Sequence, residues 1–449
     1  MTVSRTICLG FLAMIAIGTL LLLLPMATSS GEWNDPIVAL FTATSAVCVT
    51  GHIVVDTGTY FSNWGHIVIL ALIQIGGLGY MTATTFLLLL LGRRFGLRDK
   101  VALQQALDRS GLEGTTQVIQ SIVATTLIFE ITGAFLLMLV FLPRHGLDRA
   151  LWLGIFHSVS AWNNAGFSLF ADNLIGHQSS LLLNLVIPGL IIFGGIGYEA
   201  IFELYLWLRY VLRRNRLNAA PERPVFSLNF KVAVSTTIFL LIIGTIAIFL
   251  TELQNPGTLA PMPLPTRLLT AWFQGVSPRT AGFNTIDIGA MTTAGLFITI
   301  AFMFIGGSPG GTAGGLKTTT LRVLTRSTVA VLRGQESVQL YERQLPISVI
   351  LKAIAVAVGS LITVIVMTGL MTISDAKFDF IELLFEVVSA FCTVGLSTGI
   401  TAGLSTFGKL VLVATMYIGR VGVLLLIGAL LGDPQPSAVR YPQENLLVG

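Results

Sequence analysis

Four short segments of the chain end in glycine after small or polar residues: Val49-Thr50-Gly51, Asn164-Ala165-Gly166, Thr280-Ala281-Gly282 and Thr393-Val394-Gly395. None of the four carries an ionisable side chain, so any chemistry they perform must come from the backbone. Main-chain carbonyls turned inward by an extended segment can replace the water shell of a dehydrated cation. Glycine is needed there because the required dihedrals are ones that a side chain resists. The absence of Asp and Glu argues against a calcium-selective ring of carboxylates.

Each triplet closes a longer repeat. Phe41 to His52 reads FTATSAVCVTGH, Phe156 to Phe167 reads FHSVSAWNNAGF, Phe273 to Phe283 reads FQGVSPRTAGF, and Phe385 to Leu396 reads FEVVSAFCTVGL. The third copy is one residue shorter, which leaves its register through Ser277-Pro278-Arg279 open. A second repeat follows about 25 residues after each glycine: Ile75-Gly76-Gly77-Leu78-Gly79, Phe193-Gly194-Gly195-Ile196-Gly197, Ile305-Gly306-Gly307-Ser308-Pro309-Gly310 and Ile418-Gly419-Arg420-Val421-Gly422. One such copy would read as a glycine-rich helix contact in a membrane bundle. Four in the same order read as four diverged copies of one unit.

The elements that must position these segments lie in the membrane. With 54% hydrophobic and 11% charged residues and a mean hydropathy of +0.83, the chain is not a soluble globular protein. Apolar runs of spanning length, about 20 residues, fall near 7–26, 65–91, 116–142, 180–208, 228–251, 290–307 continuing towards 332, 348–372 and 405–431. Four shorter apolar segments lie between the members of each pair and lead into the triplets. The expected fold is therefore an all-α membrane protein. It has four tandem helix–pore-helix–filter–helix units, giving eight spanning helices and four re-entrant loops, around a pseudo-fourfold central pore.

The units divide as 1–91, 116–212, 226–332 and 346–432, with linkers 92–115, 213–225 and 333–345 and a tail 433–449. The first apolar run exceeds the core of a secretory signal and is read as a retained helix. The linkers are basic: Arg93, Arg94, Arg98, Lys100 and Arg109, then Arg209, Arg213, Arg214, Arg216 and Arg223, then Arg322, Arg326, Arg333 and Arg343. Cytoplasmic loops carry such an excess, which places the linkers and N-terminus inside and opens the triplets outward. The net charge of +4 then reports topology, and no nucleic-acid partner is expected.

Each short helix would aim its C-terminal partial negative charge at the pore centre and favour a cation. Irregular backbone at that depth is tolerable only where it is packed in protein or lines water. His52 and Arg279, beside the strands, either bias ion access or find structural partners outside the pore. Three cysteines give neither a disulfide framework nor metal-ligand spacing, and Cys48 and Cys392 are read as small buried side chains behind the strands.

The third unit carries Gly306-Gly307-Ser308-Pro309-Gly310-Gly311-Thr312-Ala313-Gly314-Gly315-Leu316-Lys317-Thr318. Interior Gly costs a helix about 1 kcal/mol and Pro about 3, so the spanning helix must break into a loop that would obstruct the pore below the triplets. A phosphate-binding loop is excluded by Leu316, which separates Gly315 from Lys317, and by the membrane setting. In the fourth unit Arg420 stands where the other copies have glycine, and a charge at membrane depth is a functional hypothesis by default. It either pairs with Glu130, Glu199 or Glu203, or reaches the loop carbonyls below the triplets and repels cations.

With these four units, the broken helix and Arg420, the sequence resembles the Trk/Ktr/HKT superfamily of potassium transporters, and within it the bacterial Ktr branch. The resemblance covers nearly the whole chain, most specifically Ser45–Gly51, Ser277–Phe283 and Gly306–Thr318. Relatives of the TrkH type carry an extra helix pair before the first unit, for which this chain has no room. The resemblance implies potassium uptake as the activity, coupled to or stimulated by sodium, with no organic cofactor. It implies a homodimer bound on its cytoplasmic side to a ring of nucleotide-binding RCK-type (KtrA-like) regulatory subunits. By position, the twelve triplet residues become the potassium-binding selectivity filter, Gly306 to Thr318 the gate and Arg420 its partner, and Gly51 matches the potassium-type pattern. The alternative is a sodium-selective or solute-coupled secondary transporter working between repeats, although such carriers usually show inverted or paired halves. A membrane enzyme lacks a triad, metal cluster or paired carboxylates, and no helix carries the Arg or Lys periodicity of a voltage sensor.

Overall fold

The computed structural model describes residues 3–79, 115–214 and 225–432. Linker 92–115 apart from Thr115, most of linker 213–225, tail 433–449 and the end of the run at 65–91 lie outside the described residues.

Long apolar helices alternate with short ones. Helix α1 (Val3–Leu23) precedes α2 (Pro36–Val47) and α3 (Asn63–Leu78); α4 (Thr115–His145) precedes α5 (Leu147–Trp162), α6 (Leu181–Ile196) and α7 (Tyr198–Arg214). Helix α8 (Leu228–Glu252) precedes α9 (Leu264–Val276), α10 (Thr293–Phe304) and α11 (Thr318–Leu332). Then come α12 (Ile347–Ser374), α13 (Phe380–Phe391), α14 (Thr406–Val421) and α15 (Val423–Leu431). Helices α1, α4, α8 and α12 are long and apolar enough to cross a membrane. They leave Leu20, Ile131, Ile246 and Ile365 exposed, as suits faces turned to lipid. A helix of 12 residues such as α2 or α13 rises only about 18 Å and cannot cross the bilayer core.

Capping fixes where the short helices begin. Asp35 accepts hydrogen bonds from Ile37 N and Val38 N at the start of α2, and Asp379 with Glu382 forms a reciprocal capping box at the start of α13. At the end of α12, Asp375 accepts from Ser405 N at 2.6 Å and Ser405 Oγ at 2.8 Å, tying α12 to α14. Burial raises the Asp375 pKa, but the hydrogen bonds from Ser374 and Ser405 outweigh it and hold the carboxyl below its ordinary value. The stability this group adds is present at neutral pH and is lost as pH falls through that lowered pKa.

Each short helix packs on the long helix before it: α2 on α1, α5 on α4, α9 on α8, α13 on α12. Each following helix then crosses to the next short helix: α3 to α5, α6 to α9, α10 to α13, and α14 back to α2. The contacts form a closed cycle. The core inside it is built from the fully buried Phe41, Phe156, Phe273 and Phe385, the residue that opens each copy of the repeat.

The sequence reading is corrected at two places. Only the third unit was expected to break after its short helix, yet α6 and α7 meet at 103° and α14 and α15 at 92°. The bends sit at Gly197 (φ 96°) and Gly422 (φ 88°), and α3 ends at Gly79 (φ 77°). Backbone approach explains them. A β-carbon on Gly76 would strike Val47 O, one on Gly194 would strike Trp162 O, and one on Gly419 would strike Phe391 O. The glycine pairs let these helices rest on the C-terminal end of their own unit's short helix, and the chain turns away just beyond. A small hairpin, β1 (Gln339–Leu340) with β2 (Arg343–Gln344), occupies the third linker, which the sequence reading left without structure.

Candidate functional site

Every triplet follows the end of a short helix after one residue, or after three in the third copy, and each opens with a residue in the left-handed region: Val49 (φ 56°), Asn164 (φ 57°), Thr280 (φ 64°) and Thr393 (φ 51°). The sequence reading expected extended backbone in the triplets, and the structure departs from it at this first residue. The left-handed step reverses the chain out of the helix before it runs on to the glycine. Gly51, Gly166, Gly282 and Gly395 all have positive φ, from 69° to 89°, a range that disfavours any β-carbon.

The glycines meet each other. A β-carbon on Gly51 would touch Ala165 O and lie 3.1 Å from Gly166 Cα. One on Gly166 would lie 2.7 Å from Ala281 O and 2.9 Å from Gly282 Cα. One on Gly282 would touch Val394 O and lie 3.3 Å from Gly395 Cα, and one on Gly395 would touch Thr50 O and lie 2.9 Å from Gly51 Cα. Segments separated by more than a hundred residues thus close into one ring, backbone against backbone. Eleven of the twelve triplet residues are buried, and Gly395 is half-buried.

A serine braces three of the copies in the same way. Ser160 Oγ donates to Phe167 O at 2.8 Å, Ser389 Oγ donates to Leu396 O at 2.6 Å, and Ser277 Oγ donates to Phe283 O. In the first copy Ser45 Oγ accepts from Gly51 N at 3.1 Å. The third copy's missing residue falls between this serine and the triplet: Ala281 N donates to Ser277 O, four residues back, whereas Ala165 and Val394 N reach five residues back. Arg279 therefore occupies the position of Cys48, Asn163 and Cys392. Both cysteines are free and buried.

The loop Gly306–Thr318 interrupts the chain between α10 and α11, where the sequence requires a break, and lies against the ring. A β-carbon on Gly314 would strike Thr393 Oγ1 and lie 3.0 Å from Cys392 O. The loop is pinned to α6 by Ser308 N and Thr312 N, which donate to Gly195 O at 2.8 Å and Gly194 O at 3.1 Å. It is closed on itself by Ser308 Oγ and Thr318 Oγ1 at 2.8 Å and by Lys317 Nζ donating to Ala313 O at 2.6 Å.

Of the two readings of Arg420, the geometry favours the loop: Nη1 donates to Thr312 O at 2.6 Å and Nη2 donates to Gly76 O. Glu130 accepts instead from Asn163 Nδ2 at 3.1 Å, and Glu203 accepts from Ser227 N at 2.9 Å. His52 and Arg279 both have structural partners. His52 Nδ1 lies 3.3 Å from Glu386 Oε2, both residues fully buried.

Glu386 was missed by the sequence reading. It follows the opening phenylalanine of the fourth copy, a register that is polar in every copy (Thr42, His157, Gln274) inside otherwise apolar helices, and that periodic polarity was the available signal. Its carboxylate accepts from Ser397 Oγ at 2.6 Å, Thr398 N at 3.1 Å and Thr401 Oγ1 at 2.8 Å, organising the loop beyond Gly395. Glu386→Ala is expected to lose roughly 3 kcal/mol of stability, because several buried donors are stranded at about 1 kcal/mol or more each. Thermal unfolding in detergent measures it, and a melting temperature equal to wild type would remove Glu386 from this role.

An α-helical membrane fold in which short helices end in a buried ring of glycine backbone, covered on one side by a broken helix, defines the chain as a transport protein rather than a soluble receptor or scaffold. The family described as "TrkH: Cation transport protein" matches residues 6–441, and the chain belongs to it. It is 38% identical over 449 residues to Ktr system potassium uptake protein B of Bacillus subtilis, covering all of this chain and 97% of that one. It is 37% identical to the potassium/sodium uptake protein NtpJ of Enterococcus hirae, covering 99% of this chain and 97% of the relative. Its fold matches the crystal structure of the potassium transporter TrkH from Vibrio parahaemolyticus with a TM-score of 0.72 at 18% identity, over 95% of this chain and 85% of the other. The chain is a multi-pass membrane protein of the Trk/Ktr superfamily.

Proposed function

We propose that the chain is the ion-translocating subunit of a potassium uptake system. Its four units, at 1–91, 116–212, 226–332 and 346–432, surround a pseudo-fourfold pore. The twelve triplet residues form its selectivity filter, with potassium as the substrate held by backbone oxygens. The observation that carries this reading is the closed ring in which each triplet's glycine abuts the carbonyl of the next unit's central residue. Side chains there contribute no charge, so selectivity rests on carbonyl number and spacing, and the C-terminal ends of α2, α5, α9 and α13 favour a cation at the centre.

In this reading the loop Gly306–Thr318 is the gate and Arg420 holds it shut. Gating belongs to a cytosolic RCK-type ring that binds nucleotide and docks on the linker side of a homodimer. Sodium acts as a coupling or stimulating ion. The relatives named for potassium and for potassium/sodium uptake support the choice of ions. The filter opens to the outside, and the linkers and N-terminus face the cytoplasm of the cell.

Reconstitution in liposomes tests the proposal. Rubidium and potassium are expected to pass, with sodium carried at a small fraction of their rate, and complementation of a potassium-uptake-deficient bacterium is expected to improve with sodium and with a partner subunit. Sodium flux equal to potassium flux would favour a sodium-selective transporter instead. Solute-dependent flux without passage of potassium alone would favour a carrier.

A further inference from the structure

Arg279 is the odd residue of the ring. It occupies a position where two other copies have a thiol and one an amide, and it is 6% exposed. The buried carboxyl of Glu386 faces His52, 3.3 Å away. The guanidinium of Arg279 instead donates from Nη2 to Gly306 O at 3.0 Å. Gly306 is the first residue of the loop, at the hinge where α10 ends and the loop begins. The backbone of Arg279 runs directly into Thr280, and its carbonyl faces Asn164 Nδ2 of the second triplet at 3.4 Å.

One residue therefore has its main chain in the ring and its side chain on the hinge of the loop. Its Nη1 is buried without a partner, as is Thr237 Oγ1. Arg279 and Thr237 line one small cavity with Gly195 and Gly307, so there is free space beside the hinge. Arg420 is different: its two hydrogen bonds bridge the loop to Gly76.

We propose that Arg279 is a positioning residue that links the hinge of the Gly306–Thr318 loop to the third triplet, so that loop position and filter geometry change together. This rests on the filter and gate reading above and extends it. A loop that swings away while bonded to Arg279 pulls on the residue preceding Thr280 and shifts the carbonyls of Thr280 and Ala281. Without that bond the third triplet loses its brace on the loop side. Such coupling makes ion selectivity, and not flux alone, sensitive to a residue outside the ring of carbonyls.

The experiment compares wild type, Arg279→Gln, Arg279→Lys and Arg420→Ala in liposomes, reading rubidium flux and the potassium-to-sodium flux ratio on protein that elutes as wild type. Arg279→Gln is expected to lower the ratio by about fivefold, the lower end of usual coupling between sites, while Arg420→Ala raises flux and leaves the ratio as in wild type. Arg279→Lys, which keeps the charge but not the planar fork, is expected to lower the ratio in the same direction by less, and it decides the matter if the Gln variant does not fold. A ratio equal to wild type in whichever Arg279 variants fold overturns the link, even if their flux rises. A fall in ratio for Arg420→Ala as large as for Arg279→Gln also overturns it, since the link would then not be particular to Arg279. Wild-type protein that passes neither potassium nor rubidium fails the underlying function instead.

Discussion

Gly395→Ala is expected to reduce potassium uptake to a tenth of wild type or less. Two penalties fall on the same atom. At φ 88° a β-carbon strains the backbone by roughly 1–3 kcal/mol, and the new methyl is driven into Thr50 O, with Gly51 Cα 2.9 Å away. Both obstacles are backbone of the neighbouring copy, so neither can rotate aside as a side chain would. The ring must open or the Thr50 carbonyl must turn, and each tenfold loss of flux needs only about 1.4 kcal/mol. Gly399→Ala separates the causes: it has φ 95° and no atom within 4 Å of the added carbon, so it carries the strain without the collision. Rubidium uptake in liposomes is expected to be near normal for Gly399→Ala and nearly lost for Gly395→Ala. Wild-type flux and ion ratio in Gly395→Ala would remove the ring from the ion path.

Arg420→Ala is the second large effect, and it runs in the opposite direction. The guanidinium makes two charge-assisted hydrogen bonds, to Thr312 O in the middle of the loop and to Gly76 O at the end of α3, each worth roughly 1.5–3 kcal/mol. Removing both frees the middle of the loop from the first unit and takes a positive charge away from the path of a cation. Rubidium flux is expected to rise about tenfold or more, which corresponds to loss of only one such bond. Arg420→Lys should fall between the two, because an ammonium on a flexible stem cannot hold both carbonyls in one planar fork. Stability is expected to fall in parallel, since Thr312 O is left without its donor and Gly76 O keeps, among the described residues, only the weaker bond from Gly79 N at 3.2 Å. Unchanged flux at equal protein level would free Arg420 of this role and leave it as packing alone.

These expectations began in the sequence, and particular residues explain how far that reading went. The triplet glycines were visible because a positive φ is a local demand that composition reveals: glycine recurs at the same register in four copies. The break between Phe304 and Thr318 was visible for a similar reason, because six glycines and a proline in thirteen residues have no helical option. The bends at Gly197 and Gly422 were not visible. They lie inside unbroken apolar runs, where a glycine is compatible with either a straight span or a turn.

Local chemistry and bilayer thickness thus let the chain itself determine which segments are long helices, which are short, and where backbone must leave the helix. Partners were decided elsewhere. That Gly194 rests on Trp162 O and Gly419 on Phe391 O, that Arg279 reaches Gly306, and that Glu386 meets His52 are contacts across 27 to 334 residues of chain. No local preference encodes them. They exist because burial leaves each polar atom only the donors or acceptors that packing brings within about 3 Å, and only the assembled tertiary structure chooses which those are.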